Sequence, residues 1–204
     1  HFGGYIFAQH EMDRLTFRDY FLFGSICLAV LTALFWFLFR DAYLTAIFVG
    51  DCMLTVGVVL GFMGHAGVPI HLMTGVLPPL LMAMAIADDI HLVERFLRTT
   101  VDSPSGFERV AKASSEVAIP SLLSGVTTFA GFFSLSGGAV PAIGHFGFWA
   151  GIGILFTYVF SFLTVPVLLT YARVPVRYPA TAAGAILENK IVGFCVKHYR
   201  KLIL

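Results

Sequence analysis

Residues 117–172 read VAIPSLLSGVTTFAGFFSLSGGAVPAIGHFGFWAGIGILFTYVFSFLTVPVLLTYA, 56 positions without one Asp, Glu, Lys or Arg. A helix needs roughly 20 apolar residues to cross a hydrocarbon layer about 30 Å thick. The run is therefore too long for one crossing and long enough for two. Its divider is internal: Gly137-Gly138 and Pro141 supply a hairpin, which gives spans of about 117–136 and 145–171. Lipid offers no partner for an unpaired backbone N–H or C=O, so each crossing segment must be a helix. This stretch alone predicts an all-α fold, a polytopic membrane helical bundle.

Outward from it lie three more segments of spanning length. Residues 20–39 carry no charged side chain and end at Arg40-Asp41, room only for a tight turn before the second span at 42–62. Gly64, Gly67 and Pro69 form a loop of breakers ahead of a third span at 75–97. Pro78-Pro79 near the start of that span predicts a kink or local unwinding. Residues 99–116 are the most polar internal stretch and predict a loop with a short surface helix. The transmembrane bundle is thus expected over 20–172. Past Arg173, charge mixes with Pro175 and Pro179, and 181–200 is expected to form a helix on the membrane surface. The chain opens on His1 and closes on Lys201-Leu202-Ile203-Leu204, like another apolar segment beginning; both ends are expected to be artificial.

Composition agrees with the span count. Hydrophobic residues make up 58%, charged residues 12%, and mean hydropathy is +0.86, too apolar for a water-soluble protein. A net charge of +1 carries no basic excess that would suit nucleic acid. Cys27, Cys52 and Cys195 are far apart and lie in or beside apolar segments, where cysteine acts as a small hydrophobe. Neither a disulfide nor a metal site is read from them.

Orientation follows from Lys and Arg in the short connections, which resist translocation. Five spans place Arg40, Arg95, Arg98, Arg109, Lys112, Arg173, Arg177, Lys190, Lys197, Arg200 and Lys201 on one side, and only Arg14 and Arg18 on the other. The C-terminal tail is expected in the cytoplasm and the N-terminal lead outside.

A charge near the bilayer centre costs about 2.5–3.5 kcal/mol on insertion scales, so acids within spans are functional candidates. Asp51 sits midway along the second span, and Asp88-Asp89 a little past the middle of the third. At about 100° per residue, Asp88, His91 and Arg95 share one helix face within about 60°, while Asp89 points about 100° away from Asp88. Neighbouring carboxylates in a low dielectric do not both ionise easily, which suits a proton relay of Asp88, Asp89 and His91. The alternative is that the acids only bond Ser, Thr or backbone groups of adjacent helices. His91 is open to three roles: proton carrier, metal ligand or satisfied polar residue. Glu94 and Arg95 are expected to snorkel to the interface.

The fourth span offers neighbours for the acids. Ser121, Ser124, Gly125, Thr127, Thr128 and Gly131 cover an arc of about 160°. Such a small, hydroxylated face suits close helix packing, with Ser124, Gly125 and Gly131 as the packing positions. Thr127, Thr128 and Asp51 are possible support for the relay. His65, His71 and His145 lie at the outer rim, and no metal-binding spacing such as His-Glu-x-x-His occurs. No cofactor is implied.

Three stretches resemble the resistance-nodulation-division (RND) superfamily of exporters, in particular its MMPL-type lipid branch, related to sterol-sensing-domain proteins. Met84–Phe96 (MAIADDIHLVERF) resembles the family's fourth helix, with Ala87 where a Gly is usual before the acids. Ser124–Phe132 (SGVTTFAGF) is similar to the signature of the fifth, and Phe146-Gly147, Gly151, Gly153 and Val165–Leu169 (VPVLL) to that of the sixth. The resemblance implies that the five spans are family helices two to six, that 1–19 is the end of an extracytoplasmic domain with a lead-in helix, that 173–190 is a cytoplasmic linker and surface helix, and that 191–204 begins the next span. It further implies export of lipids or other hydrophobic molecules driven by inward proton flow, in the bacterial inner membrane. The implied partners are the second transmembrane half of the same chain and possible periplasmic proteins or further copies. Two rivals stand beside this reading: a lipid- or sterol-sensing module that does not pump, and a membrane-embedded metal-dependent enzyme using Asp88, Asp89, His91 and Glu94. Against the enzyme, Asp89 and Glu94 point about 140° apart, and the chain is expected not to be an enzyme.

Overall fold

The computed structural model describes residues 3–68, 74–99 and 106–171, with side chains for Arg18 and from Phe21 onward. These residues belong to one compact unit, His1–Val174. They form five α-helices: α1 (Gly3–Phe39), α2 (Ala42–His65), α3 (Leu77–Thr99), α4 (Gly106–Ser134) and α5 (Pro141–Thr170). All five are long and apolar enough to cross a membrane. The linker at 173–190, the segment 191–204, the helix expected at 181–200 and His71 lie outside the described residues.

Local chemistry sets the helix ends. Arg40 adopts a left-handed conformation, φ 49°, and its N–H still bonds the Trp36 carbonyl at 2.8 Å. That conformation costs an ordinary residue roughly 1–2 kcal/mol, and it reverses the chain in two residues. Asp41 then caps α2, its Oδ1 accepting from the Leu44 N–H at 2.9 Å. α2 ends at Gly67, φ 65°, with Gly67 N–H bonded to the Gly64 carbonyl at 3.1 Å and Val68 N–H to Met63 at 3.0 Å. This is the Schellman pattern, which satisfies the last carbonyls of a helix.

Two expectations are corrected here. Pro78-Pro79 do not kink α3. A 3₁₀ turn, Thr74–Val76, leads into Leu77, so both prolines fall in the first α turn, where the missing N–H has no intrahelical acceptor to lose. The polar stretch before the fourth span is no separate surface helix either. From Gly106 it is continuous with the span as α4. No Gly or Pro interrupts residues 107–119, Val110 and Ala113 are buried one turn apart, and Glu116 of α4 is ion-paired to Arg95 of α3.

α3 and α2 are the central helices, with 50% and 44% of their spans buried, against 6% for α1 and 11% for α4. Between lipid tails there is little hydrophobic drive, so helices associate by close packing. Phe35 of α1 stacks on Phe48 of α2 with ring centres 4.9 Å apart. Small residues on α5 permit close approach. A Cβ on Gly147 would lie 2.5 Å from the Phe132 carbonyl oxygen and 2.6 Å from Leu135 Cβ. Large apolar side chains such as Phe23, Trp36, Ile119 and Leu163 point outward, as suits a lipid solvent.

Gly147→Ala is expected to cost about 1–3 kcal/mol, because the new methyl meets backbone that cannot easily yield. Gly57→Ala, where no described heavy atom lies within 4 Å of the added carbon, is the control expected to melt like the parent. Thermal unfolding in detergent, followed by circular dichroism, checks both.

Candidate functional site

α2, α3 and α5 pack against one another, and each brings polar side chains to their junction. On α2, Asp51 and Thr55 stand one turn apart; on α5, Thr157 and Ser161 do the same. α3 contributes Asp89. All five are buried, with Asp51 0% and Asp89 1% exposed. Ser161 Oγ donates to Asp51 Oδ2 at 3.1 Å, a bond between residues 110 positions apart. Thr157 turns inward to its own helix, donating to the Gly153 carbonyl at 2.9 Å.

The junction is under-satisfied. Asp51 Oδ1, Thr55 Oγ1 and both carboxyl oxygens of Asp89 have no hydrogen-bond partner among the described residues. Ser161 also lies beside Asp89, but its single hydroxyl hydrogen is committed to Asp51. A buried carboxylate in that condition is costly unless it is neutralised by a proton or a counter-charge.

Asp88 looks elsewhere. It is half-buried and lines a cleft of about 270 Å³ between α3 and α4 with His91, Ser121 and Ser124. The Ser121 hydroxyl stands beside it across the cleft, and His91 on the same helix face. The adjacent acids thus serve different compartments, Asp89 the dry junction and Asp88 an open cleft. Arg95 shares the face of Asp88, yet its guanidinium pairs with Glu116 of α4. Glu94 is held by Arg98, one turn on, at 2.5 Å.

The hydroxylated face of α4 contributes less than its residue types suggest. Thr127 and Thr128 donate back to the Ser124 carbonyl at 2.9 and 2.8 Å, and neither reaches an acid. Gly125 is buried while Ser124, Thr127 and Gly131 are exposed; Ser121, not a threonine, meets the acidic doublet. Ser161 and Thr55 were not singled out from sequence, although the spacing of Asp51 with Thr55 and of Thr157 with Ser161 marks a polar stripe on each helix. Asp51, read only as support for the relay, is a central member of the junction. Among the described residues no three His, Cys, Asp or Glu side chains converge as a metal-holding group. His65 and His145 are exposed.

A second cavity, about 290 Å³ and apolar, opens between α1, α2 and α3, lined by Phe21, Leu28, Met53, Val56, Leu60 and Met82 among others. Its walls suit a hydrocarbon chain or ring system rather than a charged ligand.

Comparison with curated proteins and with solved structures gave no match. A family model, the sterol-sensing domain of SREBP cleavage-activation, matches residues 41–174, two thirds of the chain and the whole of α2 to α5. Such domains occur in RND- and MMPL-like transporters as well as in SREBP-cleavage proteins. With five spanning helices, an apolar cavity and this match, the chain belongs to the sterol-sensing domain family, as an integral membrane module of the sterol- and lipid-related kind.

Proposed function

We propose that this chain is the first transmembrane half of a transporter that moves lipids or other hydrophobic molecules out of a membrane, driven by inward proton flow. The observation that carries the reading is Asp89, 1% exposed within a spanning helix and with both oxygens unpartnered among the described residues. A purely structural acid would be expected to find hydrogen-bond donors in the fold. Asp88 and His91, in the open cleft on the same helix, give a proton a way in. The Asp88 carboxylate takes it at an oxygen, and one residue on lies the dry junction. No covalent chemistry on the lipid is involved, so the role is transport and not catalysis.

The basic residues of the connections favour a cytoplasmic C-terminal tail and an extracytoplasmic lead, and the resemblance to RND exporters favours a bacterial inner membrane. Exposed polar groups on α4, Ser124 and Thr127 among them, favour cover by a second transmembrane half of the same protein. Periplasmic proteins or further copies of the chain are candidate partners at its outer end.

A second reading, a sterol- or lipid-sensing module that binds without pumping, draws support from the apolar cavity between α1, α2 and α3 and from the family itself. Both readings use that cavity. Only the pump requires the acids to gain and lose protons.

The intact transporter in proteoliposomes separates them. Asp89→Asn is expected to reduce lipid flux driven by a pH gradient to background, and Asp88→Asn to slow it, while photo-crosslinking of a lipid probe stays at the parent level. Unchanged flux in both variants would sink the pump and leave the sensor. Met82→Trp, which fills the apolar cavity, is expected to cut crosslinking of a sterol probe several-fold, by steric exclusion; full crosslinking would place the lipid elsewhere.

A further inference from the structure

The acidic doublet is adjacent in sequence, but the burial pattern joins different residues. Asp89 shares its dry surroundings with Asp51 on the neighbouring helix, and the hydroxyl of Ser161 on a third helix stands by both. We propose that Asp51 and Asp89 act as one coupled proton-binding unit bridging α2 and α3, with Ser161 as the positioning hydroxyl that serves either carboxyl. This deepens the proton-carrying role proposed for the α3 acids and rests on it.

Counting donors and acceptors supports the unit. Three carboxyl oxygens at the junction lack a partner among the described residues: Asp51 Oδ1 and both oxygens of Asp89. Ser161 supplies one hydrogen, already given to Asp51 Oδ2, and the Thr55 hydroxyl, one turn from Asp51, bonds neither carboxyl. A proton arriving on either acid forms an O–H bond there and provides the donor the other carboxyl lacks. Its departure leaves like charges facing one another in a low dielectric, where repulsion is many times stronger than in water. The two sites therefore bind protons in macroscopic steps that belong to the pair. A full proton cycle forms and breaks only the carboxyl O–H bond, and the proton exchanges with water in the Asp88 cleft.

The unit also couples helices. Its carboxyls stand on α2 and α3, and Ser161 ties α5 to the α2 side. The other titratable groups near the pair are Asp88 on α3, Cys52 on α2 and Cys27 on α1, with His91 and Tyr158 next to Asp88. α4 faces the doublet with the Ser121 hydroxyl. Cys52, next to Asp51 in sequence, is fully buried in the apolar core.

Isotope-edited infrared titration of the chain in lipid nanodiscs tests the proposal through the carboxylic C=O bands of Asp51 and Asp89. Asp51→Asn is expected to move the pH midpoint of the Asp89 band by about one unit or more, and Asp89→Asn to move the Asp51 band by a similar amount, the mark of interacting sites. Midpoints that stay in place when the other acid is neutralised would overturn the pair. If Asp51→Asn does not fold, Ser161→Ala replaces it: displacement of both bands supports the unit, and displacement of the Asp51 band alone overturns it. No lipid flux enters the measurement. Coupled titration without proton-driven transport counts against pumping alone, and independent titration with transport intact counts against the pair alone.

Discussion

Lipid offers no hydrogen bonds, and the whole molecule is arranged around that lack. Backbone groups meet it by forming helices throughout each crossing. Side-chain hydroxyls meet it by turning back: Thr127 and Thr128 bond the Ser124 carbonyl, Thr157 bonds Gly153, and Thr170 bonds Pro166. Against that consistent habit, the carboxyls of Asp51 and Asp89 stand out. They are buried at a junction of three helices, where only the Ser161 hydroxyl bonds a carboxyl. Three of their four oxygens have no hydrogen-bond partner among the described residues.

Two chemical environments result from one step along α3. Because successive side chains on a helix diverge by about 100°, Asp88 reaches a half-open polar cleft and Asp89 a closed junction. A single step of backbone separates the two settings. The apolar cavity on the far side of α2 and α3 is lined by Met53 and Val56, neighbours in sequence of Asp51 and Thr55. The wall of the apolar cavity and the acidic junction are thus two faces of the same helix.

Much of this fold is visible in the sequence because span length and charge exclusion are local properties. The gap free of charges at 117–172 and the Gly-Gly-x-x-Pro hairpin need no tertiary knowledge. The beginning of α4 was not legible in the same way. Residues 106–116 are polar, but their small apolar face of Val110 and Ala113 is buried, and the cross-helix pair of Arg95 with Glu116 becomes visible only once α3 and α4 lie together. The proline pair shows the same limit, since whether it kinks or starts a helix depends on where the helix begins. At the site, helical spacing separated Asp88 from Asp89 correctly. It could not reveal that Asp89 is buried at the junction where Ser161 bonds Asp51, an arrangement that joins distant parts of the chain and is made by packing alone.

The length of α4 has a mechanical consequence. Its 29 residues extend about 43 Å at about 1.5 Å per residue, well beyond a hydrocarbon layer of about 30 Å. The helix runs on through Pro120, which lacks the N–H for one intrahelical bond near the membrane boundary, so the turns from Phe107 to Glu116 form a helical extension ahead of the span. That extension carries Glu116 to Arg95 of α3, so α3 and α4 are tied by charge as well as by packing.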